Sequence, residues 1–385
     1  MSTLSSLKIA LVHDQLADFG GGERVLLALK EAFPQADLFT SFIDTKKLGS
    51  GASHFAHWHI FQSWARHIPF ITVLYSPLRF LLPYIWRSFD LSSYDVVICS
   101  SAWGMCKGVS LQRKKMYKGK PLYVCYLHTP PRYLYGYDES GLRKYLPVRI
   151  YALIVNHFLR SYDYESSQSI DHFIFNAQEV RKRSLKFYKR DGIVIHPPIA
   201  SSLPPQKRPS QGAYYLTVSR LVPTKHIDVL IRAANEGGFN LKVVGGGKEL
   251  QSLQAIAGPS VEFLGAIPDT DRDTLYRGAK AFLYASKDED FGMVPVEAMA
   301  HGTPVIAYAS GGVLETVKDG VNGYLYSELE PSAVVARVQA LEALNANQYD
   351  AMREHARTFA KALSTEAFIK HIQEQIASYW LQQSQ

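Results

Sequence analysis

Short apolar runs separated by amphipathic stretches organise the chain from one end to the other. In the first half, residues 8–14 (KIALVHD), 37–42, 94–100 (YDVVICS), 122–127 (LYVCYL), 172–176 and 192–196 (GIVIH) are β-branched or aromatic and nearly continuous. A strand wetted on one face alternates, whereas an unbroken apolar strand is covered on both faces, as in a parallel sheet. Between these runs, residues 23–32, 146–166 and 178–188 carry the three- and four-residue spacing of helices. The order predicts βαβ alternation. Residues 197–212 (PPIASSLPPQKRPSQG) break the pattern with five prolines and read as an extended linker. Alternation then resumes with strands at 214–219, 240–244, 261–264, 281–284 and 304–308. The pattern predicts an α/β chain with two doubly wound domains, 1–198 and 213–364, joined by a linker at 199–212. Their parallel sheets are expected to face each other across a cleft. The last segment, 365–385, is an amphipathic helix whose docking site the sequence leaves open, the first domain being one option.

Length and composition agree with this division. A chain of 385 residues exceeds one ordinary core, and 47% hydrophobic with 20% charged residues describes a globular protein. The first residues, MSTLSSLKIALVHD, lack a basic start followed by a long apolar run, so no signal peptide is expected. Cys99, Cys106 and Cys125 have no metal-ligand spacing, and their odd number fits a reducing, cytoplasmic compartment.

The formal charge of +7 is unevenly distributed. Residues 51–89 contain no Asp or Glu, while Arg66, Arg79 and Arg87 alternate with Trp58, Trp64, Phe70, Tyr75, Tyr84 and Trp86. Pro69, Pro77 and Pro83 exclude a transmembrane helix there. The stretch reads either as a surface lying in the headgroup region of an anionic membrane or as a buried helical hairpin. A second basic run, 113–120 (RKKMYKGK), extends the first reading; a third, 181–190 (RKRSLKFYKR), reads as a solvated helix face.

In doubly wound sheets, ligands bind beyond the carboxyl ends of strands, so the informative loops are those that follow strands. The first leads through GGGER into a helix, and Gly20 and Gly21 could bring backbone N–H groups to a phosphate or form a tight turn alone. After the first strand of the second half, SRLVPTK places Arg220 and Lys225 on one loop, either as ordinary surface cations or as a grip for a diphosphate. The phrase EDFGMVPVEAMAHGTPVIAYASGG (289–312) holds two carboxylates, Glu289 on a loop and Glu297 in what should be the first turn of a helix. That helix is expected to begin near Val294 or Pro295 and stop at Gly302. The N–H groups of Gly292, Met293 and Val294 would then lie open to a phosphate. Glu297 alternatively complements the helix dipole. His128 opens HTPPRYLYGY directly after a strand, where it could hydrogen-bond a hydroxyl or relay a proton, and Tyr133 and Tyr135 could stack on a sugar face.

The phrases GGGER, HTPPRY, SRLVPTKHIDVLI, VVGGGKELQSL and EDFGMVPVEAMAHGTPVIAYASGGVLETVKDGVNGYLY occur in that order over nearly the whole chain. Together they resemble the family 4 glycosyltransferases. The resemblance implies a GT-B fold of two Rossmann-like domains and retaining sugar transfer from a nucleotide donor, with no metal or other cofactor. It assigns the donor sugar to Glu289, the ribose to Glu297, the diphosphate to Arg220 and Lys225, a phosphate contact to Gly20 and Gly21, and a place beside the sugar to His128. HTPPRY and NAQEVRKR are most similar to bacterial mannosyltransferases that use GDP-mannose for surface polysaccharide, which implies a saccharide or lipid-linked acceptor. Asp290 departs from the family, which often has Gly there, and VVGGGKEL departs from the commoner VGDGP form, so its glycines carry little weight. The competing readings are a uridine-sugar transferase, an epimerase or phosphorylase of the same fold, and a non-enzymatic binder of membrane or nucleic acid.

Overall fold

The computed structural model describes residues 4, 6–112, 121–137, 145–199 and 214–383. The chain divides into two compact units: Met1–Pro198 together with Thr365–Gln385, and Ile199–Ser364. The 113–120 basic run and the predicted linker, apart from Ile199, lie outside the described residues.

In the first unit seven strands form one parallel sheet: β1 (Ile9–His13), β2 (Asp37–Thr40), β3 (Ile60–Gln62), β4 (Val96–Ser101), β5 (Leu122–Leu127), β6 (His172–Phe175) and β7 (Ile193–Val194). Their order is β3-β2-β1-β4-β5-β6-β7. Every residue of β1, β4 and β5 is buried, which is why their sequences do not alternate. Helices α1 (Gly21–Ala32), α2 (Leu146–Gln168) and α3 (Gln178–Phe187) belong to the same unit. The edge strand β3 was not legible, because it is only partly buried and its sequence IFQ offers no apolar run.

The second unit repeats the winding with β8 (Tyr215–Val218), β9 (Leu241–Val244), β10 (Val261–Gly265), β11 (Phe282–Tyr284), β12 (Val305–Tyr308) and β13 (Gly323–Tyr326), in the order β10-β9-β8-β11-β12-β13. All pairs are parallel. Its longer helices are α4 (Ile227–Gly237), α5 (Leu250–Ile256), α6 (Asp269–Gly278), α7 (Met293–Ala300), α8 (Pro331–Glu342) and α9 (Ala346–Lys361). In each sheet the strand order reverses once, between β1 and β4 and between β8 and β11, and those are the switch points.

The last helix, α10 (Thr365–Gln383), returns to the first unit. Phe368, Ile372, Ile376 and Tyr379 join the core that contains Leu26 and Leu29 of α1, and Gln373 donates to the Ala32 carbonyl at 2.7 Å. Its sequence showed an apolar face; only the fold shows what covers it.

Two expectations need correction. Residues 51–89 are not a helical hairpin: they hold β3 and a series of short helical turns, among them Trp64–His67, Ile71–Leu74 and Leu82–Trp86, because the prolines stop each helix early. The 181–190 run is only in part a solvated face: Lys182, Lys186 and Lys189 are exposed, but its arginines are engaged. Arg183 is buried and donates to Glu179 at 3.2 Å, Arg181 is paired with Asp191 at 2.6 Å, and Arg190 donates to the carbonyls of Ile170 and Asp171. Among the described residues, no helix is long and apolar enough to cross a membrane.

Because Ile376 is fully buried, Ile376→Ala is expected to destabilise the first unit by about 2–5 kcal/mol. The check is its urea unfolding midpoint; an unchanged midpoint would show that α10 is not part of that core.

Candidate active site

The two loops that leave the switch point of the second unit meet through their side chains. Lys225 ends the turn Pro223–Lys225 after β8, while Ser286 and Glu289 follow β11. Lys225 Nζ donates to Glu289 Oε2 at 2.5 Å and to Ser286 Oγ at 3.1 Å. Tyr284 Oη and Ser286 Oγ each donate to the same Oε2 at 2.7 Å. Three donors therefore converge on one oxygen. Among the described residues, Oε1 of Glu289 takes no hydrogen bond, so it remains an acceptor for a ligand hydroxyl. Burial pushes the Glu289 carboxyl up, but the Lys225 ammonium and the three donors outweigh it and hold the pKa at about 2.

The backbone around Glu289 is held in an uncommon shape. Asp288 is left-handed (φ 52°), and Gly292 caps α7 at φ 85°. Gly311 N-terminal to the next turn has φ 65°, and a Cβ on it would stand 2.2 Å from the Glu289 carbonyl oxygen. Gly312 donates its N–H to that same oxygen at 2.9 Å. The second loop thus clamps the first, and only glycine permits the approach.

Helix α7 starts at Met293, earlier than expected, and leaves the N–H groups of Met293 and Val294 outside its ladder. Glu297 is consequently its fifth residue, beyond the first turn. Its Oε2 accepts from Tyr276 Oη at 3.3 Å and lies 3.9 Å from Arg272 Nε. The structure thus gives Glu297 partners on α6, separate from those of Glu289. Arg220 is exposed, and among the described residues its guanidinium has no partner. Its loop is nevertheless fixed: Leu221 N–H donates to Gly246 O at 2.9 Å and Ser219 N–H to Val244 O at 3.0 Å. A Cβ on Gly245 or Gly247 would meet the carbonyls of Ser219 or Leu221 at 2.0 and 2.2 Å. The glycines of VVGGGKEL, given little weight from the sequence, are what let this turn lie against the Arg220 loop.

A second polar chain occupies the switch point of the first unit. Ser100 Oγ bridges His13 Nδ1 at 3.0 Å and His128 Nε2 at 2.8 Å, and His13 Nε2 stands 3.5 Å from Glu23 Oε1. Glu23 Oε2 accepts the N–H of Gly20 at 2.9 Å. That donor is therefore engaged within the turn, whereas the N–H groups of Gly21 and Gly22, the first two residues of α1, lie outside the ladder. Burial, reinforced by His13, lowers the His128 pKa to about 3. A neutral imidazole at physiological pH carries one N–H donor and one acceptor nitrogen and no charge. Tyr133 and Tyr135 are not available as stacking platforms: Tyr133 is buried against Trp103, and Tyr135 stacks on Phe187 at 4.2 Å while donating to Asp163.

Sequence reasoning did not single out Tyr284, Ser286, Arg272, Tyr276, His13, Ser100 or Glu23. The strand-end rule offered a signal for four of them, since Tyr284, Ser286, His13 and Ser100 end or follow β11, β1 and β4.

The family described as "Glycosyl transferases group 1" matches residues 200–359, nearly all of the second unit. An uncharacterized glycosyltransferase of Methanocaldococcus jannaschii is 31% identical over 164 residues, covering 41% of this chain and 46% of that protein. A D-inositol 3-phosphate glycosyltransferase of Mycobacterium bovis is 30% identical over 238 residues, covering 54% and 50%. The chain thus spans about half the length of these curated relatives. Among solved structures, Anabaena HepE in complex with UDP and glucose superposes with a TM-score of 0.70 over 97% of this chain and 100% of that one, at 20% identity. The chain has the GT-B fold, two α/β units with parallel sheets.

The depressed Glu289 pKa fixes a pH dependence. A carboxylate whose folded pKa lies below its ordinary 4.5 contributes stability above 4.5 and loses it as pH falls towards 2. The stability difference between wild type and Glu289→Gln is expected to be constant above that value and to shrink below it. Thermal unfolding across acidic buffers checks this, and a difference that is flat down to the acid limit would refute the ion pair.

Proposed function

We propose that the protein is a retaining glycosyltransferase that moves a hexose from a nucleotide diphosphate onto a saccharide or lipid-linked acceptor. The observation that carries the reading is the Lys225–Glu289 pair with Tyr284 and Ser286 at the switch point of the second unit. One side supplies a cation for a leaving diphosphate. The other supplies a carboxylate with one oxygen saturated and one open to a sugar hydroxyl.

Cleavage of a glycosyl phosphate passes through an oxocarbenium-like state while negative charge grows on the departing oxygens. Lys225, Arg220 and the N–H groups of Met293 and Val294, with Gly292 shaping the turn, would stabilise that charge without a metal. Their advantage is preorganisation, since Lys225 is already held by Glu289 and Ser286. Glu297 is the proposed ribose ligand, which requires a hydroxyl to compete with Tyr276. In the first unit, the N–H of Gly21 and the neutral imidazole of His128 are the proposed donor contacts, with Gly20 shaping the turn.

For the donor we propose GDP-mannose, on the HTPPRY and NAQEVRKR phrases. A uridine donor is the second reading, favoured by the HepE complex with UDP and glucose. The reading includes a cytoplasmic location with peripheral contact between residues 51–89 and an anionic membrane.

Lys225→Ala and Arg220→Ala are each expected to reduce turnover at saturating donor by about 10²–10³, the usual loss of one preorganised donor. Donor hydrolysis and thermal shift with GDP-mannose, UDP-glucose and UDP-N-acetylglucosamine identify the nucleotide. Near-normal turnover in either variant sinks the assigned roles, a response to uridine donors alone overturns the guanosine assignment, and inhibition by EDTA overturns the metal-free mechanism.

A further inference from the structure

Helix α2 is apolar on its outer side as well as its inner one. Its buried positions are Ala152, Asn156, Leu159, Tyr162, Asp163, Ser166 and Ser167, whereas Leu146, Ile150, Leu153, Ile154 and Phe158 stand exposed at the spacing of one helical stripe. Leu153 and Phe158 are each 69% exposed. In a water-facing helix the apolar stripe would be the buried one.

The stripe has company. Segment 70–84 lies beside α2: Tyr151 Oη donates to the Pro77 carbonyl, Arg79 Nε donates to Asn156 Oδ1 at 3.2 Å, and the Arg79 guanidinium sits 4.9 Å from the Tyr151 ring. On that segment Phe70 (79%), Val73 (67%) and Tyr84 (62%) are exposed as well. Large exposed apolar side chains on adjoining segments of a folded unit mark an interaction surface.

Charge says what kind. Residues 51–89 contain no Asp or Glu, and on α2 the first acids come only in its last two turns, the buried Asp163 and the exposed Glu165, while the two stretches carry Arg66, Arg79, Arg87, Arg149 and Arg160 among their cations. Lys47 joins them, donating to the Thr72 carbonyl at 2.6 Å. At the stripe's edge a cavity of about 610 Å³ is lined by Leu153 together with Arg149, Arg160, Tyr135 and Phe187, and among the described residues no carboxylate lines it. Asp163, bonded to Tyr135, is already paired with Lys107.

We propose that this face rests on an anionic lipid bilayer, its apolar side chains among the acyl chains and its arginines at headgroup level, with the cavity seating one lipid phosphate. Apolar area combined with an excess of cations binds such a surface. The proposal builds on the membrane contact of the proposed function, moves its centre from residues 51–89 to α2, and adds a phosphate site.

Co-sedimentation of the full chain with phosphatidylcholine vesicles, with and without phosphatidylglycerol, tests it. The wild type is expected to pellet only with the anionic vesicles and to be released by salt. Leu153→Glu with Phe158→Glu should abolish pelleting. Arg149→Gln with Arg160→Gln should weaken it about fivefold per cation. Both double variants should keep the wild-type thermal midpoint and donor hydrolysis in vesicle-free buffer. Wild type that stays in the supernatant, or variants that pellet like it, overturns the proposal. So does a dimer in solution that Leu153→Glu dissolves, because a second copy would then be what covers the face. Vesicle binding by a protein that hydrolyses no donor would end the transferase reading and leave this one standing.

Discussion

A strand buried on both faces can place polar groups only at its ends. In both units every strand is parallel to its neighbours, so all the carboxyl ends emerge along one edge, and every loop that follows a strand is delivered there. Where the strand order reverses, the loops on either side diverge and leave room between them. The Lys225–Glu289 pair stands at that reversal in one sheet, and the His13–Ser100–His128 chain at the other. The chemistry of the protein is laid out by a constraint on burying peptide groups.

The reversal alone would leave mobile loops, and backbone contact supplies the rigidity. Gly311 and Gly312 close on the Glu289 carbonyl, Gly245 and Gly247 close on the carbonyls before and after Arg220, and Asp14 gathers the N–H groups of Ala102, Gly104 and Cys106 at 2.7, 2.9 and 2.8 Å. In each case loops that leave neighbouring strands are tied together, and the Asp14 contacts span the switch point between β1 and β4. Glu289 then needs no ligand to hold its place, because its charge is met by Lys225 and its Oε2 by three donors. The same logic separates the two carboxylates of the 289–297 phrase. One faces β8 and its loop, whereas the other, past the first turn of α7, is taken up by Tyr276 and Arg272 of α6.

Strand positions were legible because burial on both faces leaves an unbroken apolar run; β3 and β13 escaped because one is a partly exposed edge with only two apolar residues and the other opens on glycine. Lys225 and Glu289 were legible because they follow such runs and belong to phrases with strong turn chemistry. Ser286 and Tyr284 obeyed the same rule but carried no unusual residue type. The 181–190 run was read correctly for its exposed lysines and misread for its arginines, because charge is read in sequence as solvation while Arg183 and Arg190 spend theirs on a neighbouring carboxylate and on backbone carbonyls. Tyr133 and Tyr135 misled for the complementary reason: an aromatic ring after a strand is as able to close a core as to stack on a ligand.

The order of apolar and polar residues by itself determined the α/β alternation, the two doubly wound units and the loops in which chemistry would lie, since periodicity is a local property of the chain. Which oxygen of Glu289 is saturated, which N–H Gly20 gives to Glu23, where α10 docks and which face of α2 meets the solvent were decided only by tertiary structure. Those outcomes depend on residues tens or hundreds of positions apart, and helical spacing reports that a stripe exists without saying which side of it will be covered.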